Sequence, residues 1–520
     1  MTGIRPLPQA KYQLLLESQK SNLHIKIVVV TAVLISAVIG VAVLGYYLYR
    51  DEYFQVLDPS AIPNLEDYDN LPENLTGIAH ATRHRAQAYA LSLWEESTGS
   101  GLLVPDQIVD WAEVQPAVGS GDALKLVCYY VVPRKLDETR DDLQPEDIDP
   151  FLCTHVIVAF ARIINGNVSP QISSDTDIYG RVVALKKRNS NLKVMLSVGG
   201  YGDSDGFPFV VSSAERRKRF VKQAVNLLQE FSFDGMDLDW EFPGIAGKTK
   251  ERGNFTLLLK DLYPALQLHK LILSVAVAAP RTVIDSAYEV REMAKVVDFV
   301  NLMSYDFRFY VWYLPMTGSN SPLFRRSEEE GLFSTLNTNW SVAYWRHLGM
   351  PASKLVVGIP TYGHSFTLLN LYNNGLGAPA VGEGLIGNEG FVSFPEVCAF
   401  IANGATRVFD EESQSPYAYL GDQWVSYDDQ QSVRRKAEFV QERGLSGAMV
   451  FSLNEDDFWE GCQGSNSGIP SSDEPLPLTW EVHHVLFRRE SMDKQKGVED
   501  SRQSSPQKVN MDAMEGEGYL

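Results

Sequence analysis

The sequence alternates short apolar runs with helical patterns over about 360 residues in the middle of the chain. Eight runs have the length and the β-branched or aromatic content of buried strands. They are Lys125–Val132, Thr154–Phe160, Lys193–Val198, Gly235–Glu241, Leu271–Ala278, Phe299–Met303, Leu355–Ile359 and Ala448–Leu453. Helical patterns such as Glu215–Phe231 and Val433–Arg443 separate them. Eight strands alternating with helices predict an α/β protein built on a closed (β/α)8 TIM barrel.

The spacing of these runs is uneven towards the carboxyl end. About 88 residues separate the seventh run from the eighth, which is far more than one connecting helix needs. We therefore predict a barrel domain over residues 122–480 that carries a small α+β insertion at about residues 363–435, before the eighth strand.

A longer apolar segment precedes the barrel pattern. Residues Ile27–Leu48 run 22 positions without a charged side chain. At about 1.5 Å per residue, a helix of this length spans roughly 33 Å, enough for a bilayer core. A buried core helix is usually shorter, and a cleaved signal peptide has a shorter apolar region that lies closer to the amino terminus. The segment is therefore predicted to be a transmembrane signal-anchor helix.

Charges on the two sides of this segment set its predicted orientation. Lys20 and Lys26 precede it, whereas a series of acidic residues beginning with Asp51 follows it. The positive-inside rule leaves residues 1–26 in the cytosol and exports the rest, as in a type II single-pass protein. Residues 49–121 contain several prolines and are predicted to form a stalk. The sequence leaves open whether this stalk is cleaved to shed the barrel domain.

Glycosylation sequons occur only on the exported side of the segment, which agrees with an extracellular or lumenal domain. The acceptor asparagines are Asn74, Asn167, Asn254 and Asn339. Each sequon is weak evidence by itself, because the pattern is frequent by chance.

Composition limits the class of partner. The 520 residues include 46 basic and 66 acidic side chains, giving a net charge of −20. Such a chain repels phosphate backbones, so nucleic acid is excluded as a partner. Four cysteines are too few for a cysteine-rich metal array or a disulfide-dense scaffold. The end of the chain, residues 481–520, is predicted to be a disordered tail and is most polar from Arg488 onwards.

The most informative window is residues 233–243, FDGMDLDWEFP. Alternate side chains of a strand share a face, so Asp237, Asp239 and Glu241 project together. The residues between them face the surrounding helices: Met236, Leu238 and Trp240. Stacked carboxyls inside a barrel repel one another and are poorly solvated, which raises the pKa of at least one of them. A protonated carboxyl at the carboxyl end of a barrel strand is suited to general acid catalysis.

The alternative is an acidic loop that binds a cation or faces water. A loop has no need for apolar residues at period two. Oxygen-only metal sites also draw their ligands from several segments or from a glycine-turn loop. The window is therefore interpreted as a catalytic strand.

The octapeptide DGMDLDWE at residues 234–241 resembles the DGxDxDxE signature of glycoside hydrolase family 18, the chitinases and chitinase-like lectins. Four further segments resemble that family in the same order along the chain. They are KVMLSVGG at 193–200, MSYD at 303–306, GIPTYG at 358–363 and GAMV at 447–450. The resemblance covers roughly residues 122–463 and implies the family's (β/α)8 barrel with an insertion before the eighth strand.

The resemblance implies hydrolysis of chitin or chitooligosaccharides, polymers of β-1,4-linked N-acetylglucosamine, without a metal or cofactor. Glu241 is expected to protonate the glycosidic oxygen. Asp239 is expected to hold the substrate's 2-acetamido group while its carbonyl oxygen attacks the anomeric carbon, the family's exception to the two-carboxylate scheme. Asp237 is expected to share a proton with Asp239, and Tyr305 to bind the acetamido oxygen.

The same resemblance supplies the substrate-binding residues and the disulfides. Expected substrate contacts are Asp234, Tyr129, Phe160, Tyr201, Met303, Asp306, Tyr362, His364, Met449 and Phe451. Asp234 is also expected to support the end of its strand. Expected disulfides are Cys128–Cys153 and Cys398–Cys462.

Three positions depart from the family's usual residues. Tyr201 and Phe451 stand where many members have Trp, and His364 stands where many have Arg. No cysteine follows Cys462, so an obvious cysteine-rich chitin-binding module is absent from the sequence. These differences keep two alternatives open: a lectin or signalling ectodomain that binds without cutting, and an endo-acting enzyme on N-glycans. Hydrolysis is favoured, because losing a general acid costs about 10²–10⁴ in rate and exchanging one aromatic for another about tenfold at most.

Overall fold

The computed structural model describes residues 123–133, 142–459, 462 and 474–487. Within those ranges, none of the helices is both long enough and apolar enough to cross a bilayer. The predicted signal anchor, the stalk, the sequon at Asn74 and residues 488–520 of the tail lie outside the described residues. Their assignments stay predictions.

Eight parallel strands form a closed barrel. They are β1 (Lys125–Val131), β2 (His155–Ile164), β4 (Lys193–Gly199), β5 (Gly235–Asp239), β6 (Ile272–Ala278), β7 (Phe299–Met303), β8 (Leu355–Pro360) and β15 (Gly447–Phe451). Strand β1 pairs with β2 on one side and with β15 on the other, which closes the ring. A short strand, β3 (Asn167–Pro170), returns antiparallel to β2. The predicted closed (β/α)8 barrel is confirmed.

The barrel strands are buried on both faces because their side chains alternate between two apolar cores. One core fills the barrel interior and includes Val127, Ile157, Met195, Val356 and Met449. The other lies between the strands and the helices and includes Leu126, Val156, Leu238, Val300 and Val357. Two-sided burial explains why these strands read in the sequence as continuous apolar runs.

Helices surround the barrel. They are α1 (Asp175–Ala184), α2 (Gly206–Val211), α3 (Ala214–Glu230), α4 (Lys250–Gln267), α5 (Arg281–Ala287), α6 (Val290–Met293), α7 (Thr338–His347) and α9 (Gln430–Glu442). The clearest start signals are side-chain caps: Ser213 accepts from the backbone N–H of Arg216, and Asn337 from that of Trp340. Such caps satisfy N–H groups that have no partner within the helix.

A further helix, α10, covers residues 477–487 and completes the ring. Its buried side chains include Val482 and Leu486. The fully buried carboxylate of Asp456 accepts hydrogen bonds from the backbone N–H and hydroxyl of Thr479 at 2.9 and 2.7 Å, in the first turn. The predicted domain boundary at residue 480 is therefore wrong, because it falls inside a packed helix. Residues 481–487, assigned to the disordered tail, are helical.

The insertion lies between β8 and α9. It consists of β9 (Tyr362–Leu368), β10 (Ala380–Glu383), β11 (Phe391–Ser393), α8 (Phe394–Ala402), β12 (Thr406–Asp410), β13 (Ser415–Leu420) and β14 (Gln423–Ser426). Its antiparallel sheet has the order β10-β9-β14-β13-β12, with β11 also pairing with β9. The insertion is shorter than the predicted range to residue 435, because α9 begins at Gln430 and packs on the barrel strands.

Two disulfides tie these parts together. Cys128 in β1 is bonded to Cys153 just before β2, and Cys398 in α8 is bonded to Cys462 beyond the last barrel strand. Both predicted pairings are confirmed.

Three of the sequons lie in the described part of the chain, in two different settings. Asn167 begins the short hairpin strand β3. Asn254 and Asn339 lie within helices α4 and α7, and the hydroxyls of Thr256 and Ser341 in their sequons are buried and bonded to backbone carbonyls. The folded domain therefore presents the last two poorly to a glycosylating enzyme.

Candidate active site

The acidic window forms β5 and the two residues after it, at the carboxyl end of the barrel. Asp237 is fully buried, Asp239 is 3% exposed, and Glu241 is partly exposed. Trp240 points the other way and stacks on Phe207, with ring centroids 5.1 Å apart. The row of carboxyls thus runs from the closed interior of the barrel towards its open mouth, as the strand period predicts.

Asp237 lies in a cradle of donors from four other barrel strands. It accepts hydrogen bonds from the Tyr129 hydroxyl at 2.7 Å, Ser197 Oγ at 2.8 Å, Ser274 Oγ at 2.6 Å and Asn301 Nδ2 at 3.3 Å. Burial raises the pKa of the Asp237 carboxyl, and these hydrogen bonds oppose the rise. The sequence predicts a raised pKa for at least one carboxyl of the row; the pKa of Asp237 is raised, and its main cause is burial.

Tyr129 remains a neutral donor in this cradle. Burial raises the pKa of its hydroxyl well above the usual range, and the charges of Asp237 and Asp239 raise it further. A group that keeps its proton at every working pH holds the Asp237 carboxylate by a hydrogen bond without competing for the catalytic proton.

The glycine pair that follows β4 allows the backbone to pack against the catalytic strand. Gly199 has a φ of +104°, and a Cβ there would lie 2.2 Å from the carbonyl oxygen of Asp239. Gly200 donates its N–H to that same oxygen at 2.7 Å. Ser204 completes the contact, because its Oγ accepts from the Glu241 N–H at 3.0 Å. The loop after β4 thus fixes the backbone of both outer carboxyl residues.

A second polar cluster surrounds Asp306, after β7. Its Oδ1 accepts a hydrogen bond from the Tyr362 hydroxyl at 2.6 Å and lies 2.8 Å from His364 Nε2. Asp306 has a φ of +56°, a left-handed conformation that costs a non-glycine residue roughly 1–2 kcal/mol. Its N–H donates to Asn320 Oδ1 at 2.9 Å, which helps to hold that conformation.

Aromatic rings line the barrel mouth between the two clusters. The Phe451 ring lies 5.4 Å from Tyr129, 5.9 Å from Tyr305, 6.4 Å from Tyr362 and 6.5 Å from Phe160, measured between centroids. Met303 and Met449 belong to the same interior core. Tyr201 follows β4 at this end and is partly exposed. Phe451 therefore lies among the aromatic rings of the barrel mouth, and its role as the floor of the subsite stays a prediction.

Asp234 is the exception among the predicted site residues. It precedes β5, at the amino end of the barrel strands, and accepts hydrogen bonds from the Val194 N–H at 2.8 Å and Lys186 Nζ at 2.9 Å. The prediction that it contacts substrate is wrong, because the strand separates it from the barrel mouth. Its expected support of the strand end is what these contacts provide.

Several residues of the site were missed by the sequence analysis. Ser197, Ser274 and Asn301 hold Asp237, and their signal was a single polar residue inside an apolar strand run. Phe391, from the insertion strand β11, stacks on Tyr362 with centroids 4.5 Å apart. Nothing in the local sequence identified Phe391. No group of three or more His, Cys, Asp or Glu side chains suited to a metal ion occurs among the described residues.

The chemistry open to this arrangement is acid–base catalysis on a ring-shaped ligand. A partly exposed carboxyl stands at the mouth, a nearly buried one lies below it, and aromatic rings offer flat apolar faces for a sugar. The Tyr305 ring stacks on Phe451 with 28° between their planes and is 4% exposed, so it is held among the aromatic rings of the barrel mouth.

Comparison with known proteins identifies the family. Residues 125–456 match the model of the glycosyl hydrolases family 18. The chain is 38% identical to human chitinase-3-like protein 2 over 401 residues, covering 74% of this chain and 99% of that protein. It is 40% identical to chitotriosidase-1 of Mus musculus over 367 residues, covering 68% of this chain and 78% of that protein.

Solved structures of a pseudo-chitinase and of a chitinase resemble the fold of this chain. Human YKL-39, described as a pseudo-chitinase with retained chitooligosaccharide binding, matches with a TM-score of 0.65 at 38% identity, over 70% of this chain and 100% of that one. The Ostrinia furnacalis Group IV chitinase in complex with allosamidin matches with a TM-score of 0.64 at 31% identity, over 70% and 99% of the two chains. This chain belongs to glycosyl hydrolase family 18.

Proposed function

We propose that the protein hydrolyses chitin or chitooligosaccharides by a substrate-assisted, retaining mechanism. The observation that carries this proposal is the intact row of Asp237, Asp239 and Glu241, graded from fully buried to partly exposed at the barrel mouth. A general acid must reach the leaving oxygen, and the partly exposed Glu241 is the carboxyl that can do so.

In the first step Glu241 protonates the glycosidic oxygen as the bond to the anomeric carbon breaks. The carbonyl oxygen of the substrate's own 2-acetamido group attacks that carbon, giving an oxazolinium and a released oligosaccharide. Asp239 accepts the acetamido N–H and stabilises the developing positive charge. Tyr305 donates to the acetamido oxygen and orients it.

In the second step a water attacks the anomeric carbon from the side that the leaving group vacated. Glu241, now a carboxylate, accepts a proton from this water and returns to its starting state. Asp237, with a pKa raised by burial, exchanges a proton with Asp239 during the cycle. The double inversion retains the anomeric configuration.

The second candidate is a protein that binds chitooligosaccharides without cutting them, as a lectin or signalling ectodomain. The relatives favour it as much as they favour an enzyme, since they include a chitotriosidase and a pseudo-chitinase. Phe451 and Tyr201 also favour it, because a smaller aromatic floor binds a distorted sugar less well. The three carboxyls of the row and Tyr305 outweigh these differences, since one aromatic exchange costs tenfold at most.

We also propose that the catalytic domain is extracellular or lumenal, on a type II single-pass anchor at residues 27–48. The two disulfides support export, because such bonds persist mainly in oxidising compartments. An antibody against the carboxyl tail should label intact cells if the domain is extracellular, and should label vesicles only after their membrane is permeabilised if the domain is lumenal. Labelling of the tail after selective permeabilisation of the plasma membrane, with internal membranes intact and no labelling of intact cells, would contradict this orientation.

The test of function compares the full-length chain with its Glu241→Gln variant on a fluorogenic chitotriose. The amide keeps the shape of the side chain but cannot donate the proton, so we expect turnover to fall about 10²–10⁴-fold with oligosaccharide binding retained. Asp234→Asn, at the other end of β5, serves as the control and should keep turnover. If the wild type binds chitooligosaccharides but does not hydrolyse them, the proposal of a hydrolase fails and the proposal of a lectin takes its place.

A further inference from the structure

The Asp306 carboxylate depends on donors from a different part of the fold. Asp306 follows barrel strand β7, whereas Tyr362 and His364, which contact its Oδ1 at 2.6 and 2.8 Å, belong to strand β9 of the insertion. The two segments are 56 and 58 residues apart in sequence. The pairing of β7 with β8 brings the two segments together. A side chain that contacts both of them would fix their distance further, because a hydrogen bond weakens steeply when its partners move apart.

The side chain of Asn320 contacts both segments. Its Oδ1 accepts the backbone N–H of Asp306 at 2.9 Å, and its Nδ2 donates to the backbone carbonyl of Tyr362 at 3.1 Å. The side chain is fully buried. One planar amide thus joins the backbone of the carboxylate residue to the backbone of its hydroxyl donor.

Asn320 is itself held from two further directions. Its N–H donates to Ser426 Oγ at 2.6 Å, at the end of β14, and its carbonyl accepts from the Phe307 N–H at 3.0 Å. The neighbouring Ser319 contacts Ser415 at 2.6 Å, so the segment is anchored to both β13 and β14 of the insertion sheet. An amide fixed in this way transmits the position of the insertion to Asp306.

We propose that Asn320 is a positioning residue, which sets the distance between Asp306 and its donors Tyr362 and His364 and thereby the affinity of the site for chitooligosaccharides. The inference rests on the proposed binding of such oligosaccharides. Asn320 acts through Asp306, whose left-handed backbone at a φ of +56° is held by the bond to Asn320 Oδ1. Without that bond the residue relaxes towards an ordinary conformation, and its carboxylate leaves the two donors.

The chain offers a matched control in Asn337. This side chain is 2% exposed, its Oδ1 accepts the Trp340 N–H at 2.9 Å, and its Nδ2 donates to the Ser334 carbonyl at 2.9 Å. Both asparagines therefore bridge two backbone groups from a buried position. Only Asn320 bridges to residues of the barrel mouth, so a purely structural role predicts the same behaviour for both.

The experiment measures binding of chitotetraose by calorimetry and steady-state hydrolysis of chitotriose for full-length Asn320→Ala and Asn337→Ala. We expect Asn320→Ala to weaken binding about tenfold or more, with the loss in kcat/KM arising mainly from KM. Asn337→Ala should change binding less than twofold, although both variants melt at a lower temperature. Equal changes in the two variants, or unchanged binding in Asn320→Ala, would overturn the proposal.

A second variant and a ligand-free measurement keep the test decisive. Asn320→Asp retains the side-chain volume and the oxygen that accepts the Asp306 N–H, but it loses the N–H that donates to Tyr362. This variant is used if Asn320→Ala does not fold. Its control is Asn337→Asp. In 15N-histidine-labelled protein, the His364 imidazole resonances should shift in the Asn320 variants and stay in place in the Asn337 variants. If the wild type binds no chitooligosaccharide, the proposed function fails, and the His364 signal alone decides whether Asn320 positions the cluster.

Discussion

The two polar clusters at the barrel mouth are assembled in different ways. The donors around Asp237 all lie on barrel strands, and Ser197 and Ser274 are its direct partners in the register of the neighbouring strands. The cluster around Asp306 instead joins a loop after β7 to the insertion, through Tyr362, His364 and Asn320. The first cluster is thus fixed by the barrel itself, and the second depends on how the insertion packs.

This difference suggests a division of labour. A cradle made by hydrogen-bonded strands is rigid, which suits the control of proton positions during catalysis. A cluster that spans an insertion changes more readily between relatives, which suits the recognition of particular ligands. We therefore expect substitutions in the cradle to act on kcat and substitutions around Asp306 to act on binding.

The largest expected effect comes from removing the charge in the cradle. Asp237→Asn replaces an acceptor oxygen with an amide that faces hydroxyl donors, and in the proposed mechanism it also removes the proton exchange with Asp239. We expect kcat to fall about 10²–10⁴-fold, with KM changed little. Steady-state kinetics on chitotriose measure both. If the loss of kcat/KM arose mainly from a higher KM, the assignment of kcat to the Asp237 cluster and of binding to the Asp306 cluster would be wrong.

A pH experiment sharpens the comparison by separating the buried carboxyls of the proposed catalytic row from one that serves packing. Burial raises the pKa of Asp456, beneath helix α10, to about 6. The folded state therefore binds more protons than the unfolded state, so the stabilising contribution is present below an unfolded pKa of about 3.9 and is lost as the pH rises through about 6. Two pKa units correspond to about 3 kcal/mol at most.

Asp456→Asn should remove this pH dependence. We expect the free energy of unfolding of the variant, relative to the wild type, to rise between pH 4 and pH 7, because the wild type alone loses stability in that window. Urea unfolding at a series of pH values measures it, while kcat per folded molecule should stay unchanged. A relative stability that stays constant with pH would show that Asp456 does not bind a proton on folding in this range.

The smallest of these effects tests the insertion's contribution to binding. Phe391→Ala removes the ring that stacks on Tyr362 at 4.5 Å. Aromatic pairs contribute about 0.5–1.5 kcal/mol beyond burial, so we expect chitotetraose binding to weaken up to about tenfold with kcat retained. Phe409→Ala, in strand β12 of the same sheet, is the control for general damage to the insertion. Equal effects of the two variants would remove Phe391 from the site.

The same contrast explains how much of the structure could be predicted from the sequence. Apolar runs and strand periodicity are local signals, so the runs identified the eight barrel strands and the period of two identified the shared face of Asp237, Asp239 and Glu241. The insertion and α10 carry no such period: Phe391 reaches the site only through tertiary packing, and residues 477–487 follow a polar segment that interrupts the pattern. Asp234 was misplaced because spacing within a motif does not say at which end of a strand each residue lies.

The closure of the ring has a consequence for synthesis of the chain. Strand β1 pairs with β15 in a register that places Lys125 opposite Gly447. One edge of the first strand therefore stays unpaired until residues 322 positions later have been synthesised. At about 5–20 residues per second, that wait lasts roughly 15 to 65 seconds. During it the Cys128–Cys153 bond, which spans 25 positions, is available early, whereas Cys398–Cys462 forms only near the end. The nascent domain therefore exposes an unpaired apolar strand edge for most of its translation, and chaperones that bind such edges are the factors on which its yield should depend.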